Sequence, residues 1–564
     1  MLKNPAEKYI PFVPIQMERR TWPDKQITAP PVWCSVDLRD GNQALIDPMN
    51  VEEKLELFHT LVDIGVKEIE VGFPSASETE FQFFRTLIEG GHIPDDVTIQ
   101  MLVQARPHLI QRTFEAMAGA KNVILHFYNS TSTLQRKVVF HTDMEGVTQI
   151  AVDAARLIRA LSEPIIRSGT NLRYQYSPES FMGTEMDNAV YICQRVLEEL
   201  GATPENKVIL NLPSTVENCM PNYFADEIEY FINKLPSRDC AVISLHPHND
   251  RGEGVATAEL GMLAGAERIE ATLFGNGERT GNVDMITLAM NMYTQGVDPG
   301  LDFSDINRIR TVYERCTKMK VGERQPYAGE LVFTAFSGSH QDAINKGVQY
   351  RKENRSPLWE IPYLPIDPAD VGRQYEPIIR INSQSGKGGA AFVMQQSFGY
   401  DLPKAMHAEF GHIVQVETDR VGKELKPNAI YDLFKAHYID AVKPYQLVQH
   451  SFAEFTDEEG HSHVTFAGTI RHTDTVFQVQ GSGNGPIDAF FNAIHGQKMD
   501  RFTFIDYKEH AVKQGSDSQA VAYIHLQDEN GRDWFGVGMS HNINLAPLKG
   551  ILSAINRAVS HDGK

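Results

Sequence analysis

Cysteine is scarce and scattered: five residues among 564, at positions 34, 193, 219, 240 and 316, with no CxxC spacing. That excludes a disulfide framework and a thiolate metal site, and it fits a reducing compartment. Long apolar runs are missing too. No stretch approaches the roughly 18 residues that a membrane span needs, and the N-terminal residues 1–20 hold prolines and acids where a signal peptide would be apolar. The chain therefore reads as cytoplasmic. Basic charge is in deficit, with 53 Lys+Arg against 73 Asp+Glu and a net charge of −20. Neither nucleic acid nor an anionic membrane is expected as a partner. A small anionic substrate stays compatible, because a site can be locally basic. No GxGxxG follows the first expected strand and no Walker spacing occurs, so a nucleotide fingerprint is lacking.

What is present is alternation. At 564 residues the chain exceeds one core, and its 42% hydrophobic and 22% charged content is that of ordinary globular domains. From about residue 32 to 296, β-like runs alternate with helix-length segments. Strands are expected at 32–38, 67–73, 98–104, 122–128, 171–177, 207–212, 240–246 and 268–274. Over 50–64, Val51, Leu55, Phe58 and Val62 share one helical face, with Asn50 as the N-cap. Eight such βα units in roughly 265 residues match a (β/α)8 barrel.

Residues 301–430 differ in character. Helical stretches at 304–321 and 339–347 give way to prolines 357, 362, 365, 368 and 377 and then to Ser385-Gly386-Lys387-Gly388-Gly389, as in a linker with small helical subdomains. An internal repeat follows. Strands at 445–455, 463–471 and 475–480 precede 481–494, and strands at 502–508, 520–526 and 533–539 precede 538–555. Two βββα units predict a pseudo-twofold α+β module with a binding or regulatory role. The fold class is α/β: an N-terminal extension (1–31), a TIM barrel (32–300), linker subdomains (301–430) and a duplicated βββα domain (431–564).

The residues that carry chemistry sit at predicted strand ends. They are Arg39 and Asp40 after the first strand, Glu179 after the fifth and Thr215 after the sixth. His246 and His248 close the seventh, and Asn276, Glu278 and Asn282 follow the eighth. In a barrel these ends converge on one face, where active sites are built. His246-Pro247-His248 weighs most: two residues apart on a strand, both imidazoles face one side and can hold one divalent cation. The bland alternative is a pair of hydrogen-bonded histidines, which the predicted place opposite Asp40 disfavours. Asp40 and the two imidazoles make a mixed N/O set with open positions, suited to Mg²⁺, with Mn²⁺ or Zn²⁺ as alternatives, holding a bidentate 2-oxo acid. Arg39 suits a carbonyl oxygen becoming an alkoxide, the alternative being an ion pair with Glu179 or Asp37. Glu179 alone reads equally as a loop carboxylate. The glycine-rich 275–282 opens a helix whose N–H groups suit an anion.

DLRDGNQ (37–43), NLPSTVE (211–217), HPHNDRGEG (246–254) and GNGERTGN (275–282) resemble the Claisen-condensing (DRE-TIM) metallolyase superfamily of barrel enzymes. SGSHQDA (337–343), PYLPIDPADVGR (362–373), NSQSGKGG (382–389) and the duplicated module narrow the likeness to the longer subtype of the 2-isopropylmalate synthase family, over nearly the full length. The resemblance implies that Asp40, His246 and His248 hold the metal and that Asn282 completes the set. Arg39 would face the keto oxygen of 3-methyl-2-oxobutanoate and Thr215 its carboxylate. Glu278, with Asn276 and Gly277, would lie along acetyl-CoA.

It further implies that His340 and Tyr363 of one subunit act with Glu179 in the barrel of the other, in a homodimer with composite active sites. Leucine would bind the C-terminal module, at Gly481, Gly483, Gly485, Tyr507 and Asp517. K⁺ is an additional ion that the resemblance leaves open. The implied reaction condenses acetyl-CoA with 3-methyl-2-oxobutanoate in the first committed step of leucine biosynthesis, under leucine feedback. Rival readings are a citramalate or homocitrate synthase, a barrel hydrolase of the amidohydrolase type, and an amino-acid sensor with an inactive barrel. The hydrolase would carry its HxH on the first strand. The intact Asp40, His246, His248 and Arg39 oppose the sensor.

Overall fold

The computed structural model describes residues 1–335, 337–375, 389–421, 425–439, 441–456, 460–495, 499, 501–512 and 518–562. Eight strands close a parallel barrel. They are β1 (Val32–Ser35), β2 (Glu68–Gly72), β3 (Thr98–Gln104), β4 (Asn122–Ser130), β5 (Asn171–Glu179), β6 (Val208–Ser214), β7 (Ala241–Pro247) and β8 (Arg268–Ala271). Each pairs in parallel with the next, and β8 returns to β1.

Two strands stop three residues earlier than expected. β1 ends at Ser35, and Asp37–Gly41 forms a single wide π-helical turn. The Asp37 carboxylate accepts the Leu273 N–H at 3.0 Å and the Ser35 hydroxyl at 2.8 Å, which bends the chain inward. β8 ends at Ala271, and Phe274 turns the chain at a φ of 57°.

Helix Val51–Ile64 starts as expected. Asn50 accepts the Glu53 N–H, and the Glu53 carboxylate accepts the Asn50 N–H in return. Its buried stripe is shifted, however, to Leu57, Phe58, Leu61 and Ile64, leaving Val51, Leu55 and Val62 half-buried. Lys54 joins that stripe because its ammonium meets Glu80, so the whole side chain is buried. The N-terminal residues fasten to helix Pro221–Lys234: Arg20 Nε and Trp22 Nε1 donate to Asp226 at 2.8 and 2.9 Å.

The chain divides into two compact units, Met1–Phe333 with Pro365–Gln374, and Thr334–Leu364 with Tyr375–Lys564. In the second unit, β9 (Tyr445–Thr456), β10 (Ser462–His472) and β11 (Thr475–Gly483) form one antiparallel sheet. β12 (Phe502–Ala511), β13 (Ala520–Asp528) and β14 (Asp533–Ser540) form another. Each sheet carries a helix, Pro486–Ile494 on the first and Leu545–Asp562 on the second, so the duplication is real. Phe466, Phe490, Ile524, Leu526, Ile551 and Ile555 share one apolar core between the halves.

The linker helices Gly389–Phe398, His407–Val421 and Pro427–Phe434 complete a second core. Its other side is Val521, Tyr523, Phe535 and Val537 of β13 and β14. Short helices cannot bury their own apolar stripe, and this sheet face supplies the partner. Pro377 and Ser385-Gly386-Lys387-Gly388 lie outside the described residues. No helix among the described residues is long and apolar enough to cross a membrane.

Candidate metal and active site

Asp40 follows β1 in its helical turn, His246 lies in β7, and His248 follows it, bridged by backbone to Asn282. His246 Nε2 is 3.1 Å from Asp40 Oδ2 and His248 Nε2 is 3.7 Å from the same oxygen. Asn282 Nδ2 donates to it at 2.8 Å. All four side chains are buried, with exposures of 4% (Asp40), 5% (His246), 6% (His248) and 1% (Asn282).

The cluster meets the demands of a divalent ion. Two ligand atoms each about 2.1 Å from one ion, at right angles, are about 3 Å apart, close to the His246–Asp40 spacing. His248 Nδ1 and Asn282 Oδ1 are buried without a hydrogen-bond partner among the described residues. A half-turn of the Asn282 amide offers that oxygen where Nδ2 now meets Asp40. Two imidazoles, a carboxylate and an amide oxygen form a donor set for a hard or borderline divalent cation.

What lies beneath orients these ligands. His246 Nδ1 is 2.8 Å from Glu270 Oε2, so that nitrogen donates and Nε2 is left to face Asp40. Burial disfavours the imidazolium of His246, yet Asp40 and Glu270 prevail and raise its pKa to about 9. His248, buried beside His246, is depressed to about 3. Burial alone would raise Asp40, but Arg39 and His246 hold its carboxyl well below the usual carboxylate range.

Glu70, His126 and Glu270 make a second cluster of ligand-type atoms, but each is committed to neighbours. His126 Nδ1 lies 2.6 Å from Glu70 and its Nε2 2.7 Å from Ser177. Arg268 donates to Glu68, Glu270 and Gln100 at 2.6, 3.0 and 2.7 Å. This is a polar filling in a place that barrels usually fill with branched aliphatics. Arg39 joins it to the Asp40–His246–His248 cluster, donating to Glu70 and, at 2.5 Å, to Asp40.

A cavity of about 620 Å³ opens above, lined by Arg39, Asp40, His246, His248, Glu179, Thr215, Glu278 and Arg279 among others. Thus the strand-end residues do converge. Glu179 accepts the Ser130 hydroxyl. Thr215 Oγ1 accepts the Ser180 N–H at 2.9 Å. Glu278 is 3.3 Å from Gln43. Asn276 is not among the residues lining the cavity and ties its loop to the Gly41 carbonyl at 3.1 Å. Gly277 is needed for space, since a Cβ there would overlap Asn282 Oδ1.

Tyr128, Gln104 and Arg279 also line the cavity, though the sequence reading did not single them out. The first two alternate with buried apolar residues in strands β3 and β4, which is the one signal that marks them as inward. His340 and Tyr363 belong to the second unit, where their rings stack with centroids 4.0 Å apart and both are exposed. Tyr363 has a φ of 63° and is 61% exposed.

Gly481 and Gly483 face helix Pro486–Ile494, where a Cβ would strike Ala493 and Ala489 backbone, and Gly485 caps that helix. The second half repeats the arrangement: Gly536 and Gly538 face Gly550, Ala554 and Ala546. Tyr507 is exposed on β12, and Asp517 lies outside the described residues.

Comparison with known proteins gives consistent matches along the chain. Residues 30–312 match the family described as HMGL-like. Residues 330–395 match the alpha-isopropylmalate synthase post-catalytic domain-like family, and 424–559 the LeuA allosteric (dimerisation) domain. The 2-isopropylmalate synthases of Clostridium acetobutylicum and of Brucella suis biovar 1 are each 53% identical to it over 554 residues, covering 98% of this chain and 99% of the relative. That of Mesorhizobium japonicum is 51% identical over 565 residues and covers 100% of both chains.

Proposed function

The chain belongs to the 2-isopropylmalate synthase family, and from that premise we propose how its own residues carry the reaction. The activity is acyl transfer (EC 2.3.3.13). Acetyl-CoA condenses with 3-methyl-2-oxobutanoate, and hydrolysis of the thioester yields (2S)-2-isopropylmalate and CoA, the first committed step of leucine biosynthesis.

One observation carries the assignment of the site: Asp40, His246, His248 and Asn282 gather in one buried corner of the cavity beside Arg39. These four would hold a divalent metal, which when bound polarises the acceptor's keto oxygen; Mg²⁺ is our choice, with Mn²⁺ and Zn²⁺ as alternatives. Arg39, fixed by Glu70 and Asp40, stabilises the negative charge that grows on that oxygen as the new C–C bond forms. Thr215 receives the acceptor's carboxylate. Glu278, Gly277 and the turn stabilised by Asn276 border acetyl-CoA.

The methyl proton of acetyl-CoA goes to the Glu179/His340 pair acting with water, while Tyr363 stacks on that imidazole. These last two come from a second copy of the chain, so the active unit is a homodimer. The carbanion's electron pair attacks the keto carbon, the alkoxide takes a proton, and water displaces CoA as its thiol. Leucine binds the C-terminal module near Gly481, Gly483, Gly485 and Tyr507, and it inhibits by favouring a less active state.

Release of CoA thiol from acetyl-CoA with 3-methyl-2-oxobutanoate, pyruvate or 2-oxoglutarate, with and without leucine, tests the reading. Preference for the branched acid, suppressed by leucine, is expected. Preference for pyruvate would move the enzyme to citramalate synthesis. Near-normal turnover of an intact His340→Ala dimer would remove His340 from the scheme.

A further inference from the structure

Three consecutive loops at the mouth of the barrel, after β6, β7 and β8, are joined by one ion pair. Arg279 Nε and Nη2 donate to the two carboxylate oxygens of Asp250 at 2.6 and 3.1 Å, and Nη2 also donates to the Thr215 carbonyl at 2.6 Å. Asp250 accepts the Glu217 N–H at 2.9 Å. The segment 215–217 is therefore held at both ends by a pair drawn from the two neighbouring loops.

Arg279 does this with a φ of 56°. A side-chain-bearing residue in the left-handed region is strained and persists only where its surroundings hold it there. The geometry at Thr215 shows what is gained. Its hydroxyl oxygen accepts the Ser180 N–H at 2.9 Å, which leaves the hydroxyl proton to donate into the cavity. A carboxylate can only accept, so a hydroxyl oriented in this way matches it. Arg279 and Thr215 line the cavity, whereas Asp250 does not.

We propose that Asp250 and Arg279 are positioning residues for the acceptor's carboxylate: their ion pair holds Thr215 where that carboxylate is received. The inference rests on the role given to Thr215 above. A loop displaced by about 1 Å can cost up to a hundredfold in such a contact, and the ion pair is what limits that displacement.

Steady-state kinetics of the full-length enzyme test it, with Asp250→Asn, Asp250→Glu, Arg279→Lys and Thr215→Val compared alone and in pairs. Asp250→Asn is expected to raise KM for 3-methyl-2-oxobutanoate about tenfold while kcat and KM for acetyl-CoA stay within about twofold, the pattern of lost substrate binding. Asp250→Glu should recover part of that loss. Arg279→Lys, which keeps the charge but loses the planar fork, should show the same split, and it carries the test if Asp250→Asn misfolds. In the Thr215→Val background neither change should raise KM further, because neighbours acting through one contact are not additive.

A raised KM in Thr215→Val beside an unchanged KM in Asp250→Asn, or full additivity of the two, overturns the positioning role alone. A raised KM in Arg279→Lys with Asp250→Asn silent would make Arg279 a direct substrate contact and also overturn it. An unchanged KM in Thr215→Val overturns the Thr215 assignment together with the positioning role.

Discussion

Within the barrel, Arg268 and Glu270 are fully buried and bonded to each other, to Glu68, Gln100 and His246, whereas the core of the paired βββα module is built from Phe466, Phe490, Ile524, Leu526 and Ile551. Both regions are closely packed, but the two fillings serve different ends. An apolar core stabilises in proportion to the area it buries and tolerates small shifts. A buried charge network contributes little net stability, because desolvation offsets Coulomb attraction, yet each member is fixed by its partners. The barrel has exchanged stability for precision at the place where Glu270 fixes a ring nitrogen of His246 and Glu70 fixes Arg39. The module holds no such network among its described core residues.

That contrast is broken most forcefully at the metal ligands. His246→Ala should lower turnover by at least about a thousandfold and, because it strips a buried partner from Glu270 and Asp40, also lower the thermal midpoint followed by calorimetry. In the module, stability and regulation are expected to suffer while the metal site is spared. Ile524→Ala should cost about 2–5 kcal/mol of stability and weaken leucine inhibition, with metal affinity measured by titration unchanged. A truncation near residue 430 would be a poorer test, since it strips Val521, Tyr523, Phe535 and Val537 from the core of the linker helices.

Glu270→Gln sharpens the comparison from the barrel side. Metal affinity should fall about 10–100-fold, and leucine should still bind as tightly as in the parent.

The smallest effect concerns Glu227 on helix Pro221–Lys234, a buried carboxyl whose Oε2 has no hydrogen-bond partner among the described residues. Burial, with Asp226 beside it, raises its pKa to about 8. The folded chain thus keeps this proton up to about pH 8, whereas the unfolded chain releases it near its ordinary value of about 4.3. Stability falls as pH rises through that window, because the folded state binds the extra proton. Glu227→Gln should therefore be more stable than the parent at pH 8, by about 1–3 kcal/mol, and equal to it at pH 4. Denaturant melts at the two pH values check this.

Much of this was legible in the sequence because strand ends converge in a barrel. Asp40, His246, His248 and Asn282 are up to 242 residues apart, yet the alternation of strands and helices alone placed them together. The polar layer beneath was written in the sequence too, as Glu68 with Glu70 and Arg268 with Glu270 at alternate positions of otherwise apolar strands. A charged residue inside a buried run is easily read as an outward one, and only closure of the barrel shows that it points in.

Arg279 was harder. Its role depends on a left-handed backbone and on two other loops, neither of which a spacing pattern reports. The burial of Lys54 was likewise hidden, since it depends on Glu80 of the next helix.

The central claim is that Asp40, His246 and His248 form a single divalent-metal centre on which turnover depends. Titration of the full-length chain with Mn²⁺, in the parent and in Asp40→Asn, with CoA release followed in the same samples, tests it most directly. The account predicts one site per chain, weakened at least about tenfold in the variant, with turnover lost in step. Equal affinity and stoichiometry in the two proteins would contradict it.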